Sequence, residues 1–169
     1  MDAPHIQIRR LTPADATLYR EIRLEALQRN PEAFGSTFEA ESARSVESFA
    51  ERLTASTVFG AFDGPQIVGI AALRVHPGPK EAHKGQLVGM YVRASARGYG
   101  LGQQLVEAVI KHARNSVELV QLAVVSTNGP ARRLYARLGF VEYGLEKNSL
   151  KQGGQYFDEV LMAKDLKSD

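Results

Sequence analysis

Apolar residues recur along this chain with two different periods, and the switches between them mark the elements. Residues 6–9 alternate as a short strand. From Thr12 the spacing turns helical: Leu18, Tyr19, Ile22 and Ala26 share one stripe, while Leu24 and Leu27 fall off it and face a second partner. Thr12-Pro13-Ala14-Asp15 reads as N-cap, proline at the first helical position and first-turn acid. Asn30-Pro31 stops that helix at about Arg29. Residues 31–41 carry Phe34 and Phe38 without a period and read as a loop or short turns, and 45–55 as a second helix. Two alternating runs, Thr57–Asp63 and 67–75, flank Gly64-Pro65 as a hairpin, and 76–80 is a loop. Lys84–Val92 reads as a strand and 99–115 as a helix. Residues 119–126 form a strand too apolar to be half-exposed, which places it centrally. A helix over 130–138 ends at Gly139, and strands near 143–149 and 155–164 turn at Gln152-Gly153-Gly154. The order β-α-α-β-β-β-α-β-α-β-β predicts an α/β (α+β) fold with a mixed sheet.

Length and composition narrow the class. A chain of 169 residues fits one domain and can bury ~70% of its unfolded surface. With no cysteine, neither a disulfide framework nor a thiolate metal site is possible, and no metal is expected. The start lacks a basic segment followed by an apolar one, and no apolar run reaches ~18 residues. The expectation is a soluble, cytoplasmic protein with no membrane partner. A net charge of +2 argues against a dedicated nucleic-acid partner, yet suits an anionic cofactor beside Arg97, Arg132 and Arg133.

Residues 96–105 carry the strongest chemical signal. Gly98, Gly100 and Gly102 follow a strand-like run and open a helix-like one. That order builds a nest of backbone N–H groups at a helix N-terminus, aimed at a phosphate. A Rossmann G-x-G-x-x-G fails because its third glycine would be Gln103, and a P-loop fails for want of Gly-Lys-Ser/Thr. What fits is R-x-x-G-x-G, with Arg97, Gly100 and Gly102. Taken alone, the same letters also describe a mobile turn capping an ordinary helix.

This segment resembles the acetyl-CoA pyrophosphate loop of the GNAT superfamily of N-acetyltransferases. A second segment, Asn128-Gly-Pro-Ala131-Arg-Arg-Leu-Tyr135-Ala-Arg-Leu-Gly139-Phe140, is similar to that family's N-x-x-A-x-x-x-Y-x-x-x-G-F. A third, Tyr156-Phe157-Asp158-Glu159-Val160-Leu161-Met162, is similar to its closing strand, so the likeness runs over residues 6–166. The resemblance implies a single N-acetyltransferase domain. Its fold would be a mostly antiparallel sheet of about seven strands, flanked by about four helices and splayed at the cofactor site. It implies acetyl-CoA as co-substrate, with contacts at Met90, Tyr91, Val92, Arg97, Gly98, Tyr99, Gly100, Leu101, Gly102, Gln103, Asn128, Ala131 and Tyr135. At Met90-Tyr91-Val92 those contacts would be made by the backbone, with the pantetheine arm pairing like a strand. The activity implied is acetyl transfer to a primary amine of a small molecule or polypeptide by direct attack in a ternary complex, in a monomer or homodimer.

Single residues divide between structural and chemical readings. His112 lies at the edge of the helical core stripe and reads as a structural histidine. Asn128 suits a helix N-cap and, by resemblance, a contact to the cofactor arm. Tyr135 shares a face with Ala131, Leu134 and Leu138; spacing alone gives a core tyrosine, and the resemblance gives a general acid toward the leaving thiolate. The family's glutamate general bases fall at Gln86 and Ala123 here, neither of which can take a proton at neutral pH. Glu32, Glu81, His83 or a water chain remain as substitutes. Without a base, low-pKa amines are favoured: an amine near pKa 10.4 is about 4.6 kcal/mol from its neutral form at pH 7, one near 7.8 about 1.1. Residues 30–41, with Glu32, Phe34 and Phe38, suit a cationic or amphipathic amine, or else the two rings merely pin the loop. Two rival functions are a non-catalytic acyl-CoA-binding sensor or interaction module and a site for another nucleotide.

Overall fold

The computed structural model describes residues 5–167. Seven strands form one sheet in the order β1-β2-β3-β4-β5-β7-β6. They are β1 (Ile6–Arg10), β2 (Thr57–Asp63), β3 (Gln66–Val75), β4 (Lys84–Val92), β5 (Leu119–Val125), β6 (Val141–Gln152) and β7 (Gln155–Asp165). Five α-helices accompany them: α1 (Ala16–Arg29), α2 (Phe38–Ser42), α3 (Val46–Ala55), α4 (Leu101–Ala113) and α5 (Gly129–Arg137). Every neighbouring pair of strands is antiparallel except β4 and β5, which are joined through α4 and run parallel. No helix among the described residues is long and apolar enough to cross a membrane.

The sheet is covered on both faces. Tyr19, Ile22 and Ala26 of α1 and Phe49 and Leu53 of α3 pack against Val58, Ile67 and Ile70 on one side. Leu101, Leu105, Val106 and Val109 of α4 and Tyr135 of α5 pack against Val68, Leu73, Val120 and Leu122 on the other. This explains β3, where every residue from Ile67 to Leu73 is buried. Leu27, off the predicted α1 stripe, is also fully buried. His112 sits at the α4 edge as a structural residue, its Nε2 3.3 Å from Thr57 Oγ1 and its ring edge-on to Phe59.

Two features open the sheet. β4 and β5 pair only from Lys84↔Leu119 to Gln86↔Gln121 and then part. Just beyond, β4 carries a bulge: Ile70 pairs with Tyr91 but Ala72 with Val88, so β4 holds one extra residue. Gly89, at φ +64°, supplies the left-handed backbone this bulge needs. The parted strands expose Ala123, so β5 is central but not covered on both faces as its composition suggests. The fifth helix, absent from the sequence reading, is the five-residue α2, capped by Thr37, whose hydroxyl accepts from the Ala40 N–H at 3.1 Å.

Candidate active site

The splay leads into two cavities. The first, about 610 Å³, lies between the end of β4, the glycine segment and the start of α5. Gly98 (φ +89°) and Gly100 (φ +73°) both take left-handed backbone with open space where a Cβ would stand. Gly102 serves by close approach instead: a Cβ there would meet Met90 Cε at 3.1 Å and Leu134 Cδ2 at 3.3 Å. Among the described residues, no protein acceptor takes the N–H groups from Gly98 to Gln103. These amides converge at the N-terminus of a 13-residue helix, an arrangement suited to a phosphate.

The segment is anchored from both sides. Arg97 Nε donates to the Val92 carbonyl at 3.0 Å, tying the loop to the end of β4. The Tyr91 hydroxyl donates to Glu25 Oε2 of α1 at 2.8 Å, and burial together with that carboxylate pushes its pKa up to about 12. Arg93 Nε sits 3.3 Å from the same oxygen as an ion pair, off the line of a hydrogen bond. The Tyr91 hydroxyl is thus committed to α1, while the residue lines the first cavity beside Arg97. Asn128 caps α5, accepting from the Ala131 N–H at 3.2 Å.

The second cavity, about 690 Å³, opens on the face covered by α1, α2 and α3. Ala33 and Phe34 line both cavities, and β4 passes from one to the other at its bulge: Val88 and Gly89 belong to the second, Met90, Tyr91 and Val92 to the first. The wall nearest α2 is fixed by Glu41, a carboxylate only 2% exposed. Arg23 grips it through Nε and Nη2 at 3.2 and 3.0 Å, and Arg52 Nη1 donates to it at 2.7 Å. Burial pushes this carboxyl up, but the two guanidinium groups outweigh that and hold it at about 2. Arg23 also stacks on Phe34, 5.1 Å from the ring centre.

Most of the residues expected to hold a cofactor meet in the first cavity: Met90, Tyr91, Val92, Arg97, Gly98, Gly100, Leu101, Gly102, Gln103, Asn128 and Ala131. Tyr99 is not among its walls and stands 49% exposed. Tyr135 lines neither cavity; it is 6% exposed, edge-on to Phe140, with no partner for its hydroxyl among the described residues, and burial pushes its pKa up to about 12. Of the acceptor-side residues, Phe34 sits at the junction, Glu32 lies in the first cavity and Phe38 lines neither.

The charge pattern differs from the one read off the loop. Of its three acids, Glu41 is clamped by arginines and Glu39 lines neither cavity, so guanidinium groups outnumber carboxylates around the second cavity. Arg132 is not free to meet an anion: it donates to the Ser126 carbonyl and to Glu142 Oε1, the latter at 2.7 Å. Arg137, one turn later, lines the first cavity instead. Gln86 and Ala123, where the resembled family carries acids, both face the second cavity. Glu81 and His83 line neither, and Glu81 pairs with Lys84. One carboxylate that sequence reasoning did not single out, Glu159 of β7, faces the second cavity with no arginine partner among the described residues. Ser149 Oγ lies 2.7 Å from Glu146 Oε2 and 2.5 Å from Glu159 Oε1, and its single proton serves one of them at a time.

Comparison with known proteins matches this geometry. A mycothiol acetyltransferase of Thermomonospora curvata is 32% identical over 143 residues, 83% of this chain, although the chain spans only 46% of that protein. The L-amino acid N-acetyltransferase AaaT of Escherichia coli is 27% identical over 120 residues, 70% of this chain and 73% of its own length. The protein YncA of Salmonella typhimurium, solved with acetyl-CoA, superposes with a TM-score of 0.85 at 20% identity over 96% of this chain and 94% of its own. The family model described as acetyltransferase (GNAT) matches residues 19–140. With the splayed sheet, the open amides of the glycine segment and this match over most of its length, the chain belongs to the GNAT acetyltransferase family.

Proposed function

We propose that this protein transfers the acetyl group of acetyl-CoA to the primary amine of a small acceptor, with both substrates bound together. The observation that carries this reading is the meeting of two cavities at the β4 bulge, one lined by unpartnered amides and the other by acceptor-sized polar walls. Each volume lies within the ~300–1,000 Å³ typical of small-molecule sites. The pyrophosphate would rest on the amides of Gly98 to Gln103, with Arg137 and Arg97 nearby. The pantetheine arm would follow the open edge of β4, bringing the thioester to Gly89 and Met90.

In that complex the neutral amine nitrogen attacks the thioester carbonyl carbon; the C–N bond forms, the C–S bond breaks and sulfur leaves as thiolate, while the proton remaining on the new amide nitrogen passes to solvent, from which the thiolate is protonated. A backbone N–H near Met90 to Val92 polarises the carbonyl oxygen, and juxtaposition of the substrates supplies most of the acceleration. Glu159 is the carboxylate available to accept the proton that the ammonium must shed. The family resemblance assigns assistance of the departing sulfur to Tyr135, whose hydroxyl has no protein partner among the described residues. Handing over its proton outright, from near 12 to a thiolate near 8.5, would be uphill by about 5 kcal/mol. The hydroxyl therefore works by hydrogen-bonding the developing charge.

Thermal melts and turnover test the reading together. Acetyl-CoA at ~100 times its Kd adds about 2.7 kcal/mol, a rise of roughly 5–11 °C for a chain of this size. ATP and NAD leave the melt unchanged. Release of free CoA thiol with a panel of small amines completes the test; binding without turnover of any amine would make the protein an acyl-CoA-binding module instead.

A further inference from the structure

The second cavity contains more positive charge than its own carboxylates can neutralise. Four arginines line it, Arg23, Arg44, Arg52 and Arg74, against two acids, Glu41 and Glu159. Arg23 and Arg52 are committed to Glu41. Arg44 and Arg74 have no carboxylate partner among the described residues. Arg74 and Gln86 are cross-strand partners on β3 and β4, and Arg74 Nη2 donates to Gln86 Oε1 at 3.2 Å. That bond leaves four of the five guanidinium N–H groups unassigned. The position where the resembled glutamate base would stand is thus occupied by a neutral amide that orients a cation.

We propose that Arg74, steadied by Gln86 and aided by Arg44, binds a carboxylate on the acceptor, so that the acceptor is a small amino acid rather than a simple amine or a polypeptide side chain. This rests on the transferase reading above and specifies its second substrate. The planar fork of arginine matches a carboxylate in a way a point charge cannot. Distance sets the size of the molecule. Gln86 and the bulge at Gly89 are three residues apart on one strand, about 10 Å at full extension. The carboxylate held by the Arg74 fork and the amine presented at Gly89 must lie within that span, an upper bound that a small amino acid meets and that an acceptor with a more distant carboxylate does not. Glu159 on β7 gives the ammonium end an acidic neighbour, so the cavity offers opposite charges to the two ends of a zwitterion.

The test compares each of a panel of L-amino acids with its own carboxamide, in wild-type enzyme and in Arg74→Met and Arg74→Lys. The expected wild-type kcat/KM favours the acid over the amide by about tenfold or more, the usual worth of a hydrogen bond to a charged group. Arg74→Met brings that ratio close to one while leaving the KM for acetyl-CoA unchanged, and Arg74→Lys restores part of it. Equal use of acids and amides by the wild type, or an unchanged ratio in Arg74→Met, overturns the carboxylate site and leaves the transferase reading standing. Failure of both series to release CoA from enzyme that binds acetyl-CoA overturns the two together. The wild-type ratio decides the matter even if a variant folds poorly.

Discussion

Arg52 Nη1 of α3 donates to Glu41 Oε1 of α2 at 2.7 Å, and Arg23 of α1 holds the same carboxylate from the other side. Three successive helices therefore converge on one nearly inaccessible group, and this convergence shapes the wall of the second cavity. Breaking a buried pair by neutralising one member leaves uncompensated charge, at a cost of about 3–5 kcal/mol. Glu41→Gln should accordingly lower stability by an amount of that order in urea unfolding and raise acceptor KM more than acetyl-CoA KM.

The same carboxylate sets an acid limit. Its pKa falls from an ordinary 4.5 to about 2 on folding, so its contribution is fully present above pH 4.5 and is lost as pH drops through 2. The linkage is worth at most about 3–4 kcal/mol. Asp15, held low by the Arg9 fork at 2.9 Å, adds a loss of the same sign. Wild-type stability should fall between pH 4.5 and 2, and Glu41→Gln should flatten that slope; an unaltered slope would remove Glu41 from this role.

Tyr135→Phe removes a hydroxyl that bonds no protein group among the described residues. Stability should change by less than about 0.5 kcal/mol. If the hydroxyl meets the leaving sulfur, kcat should fall at least about tenfold with little change in acetyl-CoA KM. Unchanged kcat would assign Tyr135 to packing against Phe140.

At Gly100 the backbone, not the space, excludes a side chain: φ is +73° and nothing stands within 4 Å of a Cβ. Gly100→Ala should cost about 1–2 kcal/mol of stability from left-handed strain. It should weaken acetyl-CoA binding further by disturbing the amide nest. Tyr91→Phe is the contrast, because it removes only a hydroxyl committed to Glu25 and keeps the backbone and ring. That change should cost about 1 kcal/mol and leave acetyl-CoA KM nearly unaltered, as isothermal titration of both variants would report.

The sequence made some of this architecture legible and hid the rest for physical reasons. Lys84–Val92 and Thr57–Asp63 keep their predicted bounds because alternation and flanking turns are local signals. The glycine segment could be read because left-handed backbone at two positions and close approach at a third each demand the same residue type. The cap of α2 had a signal in Thr37, but five residues are too few for a helical period. Glu41 looked like one of three acids in a loop; its partners lie 18 residues before and 11 after, and no local pattern joins them. Ala123 looked buried because composition cannot show where β4 parts from β5. Glu159 and Arg74 face one cavity only once strands distant in sequence are laid side by side.

The central claim is that the free amides of the glycine segment hold the diphosphate of acetyl-CoA, and amide hydrogen exchange measures that contact directly. With saturating acetyl-CoA, exchange at residues 98–103 should slow markedly, while residues 152–155 in the β6–β7 turn stay unchanged. Binding of acetyl-CoA with exchange at 98–103 unaffected would contradict the account.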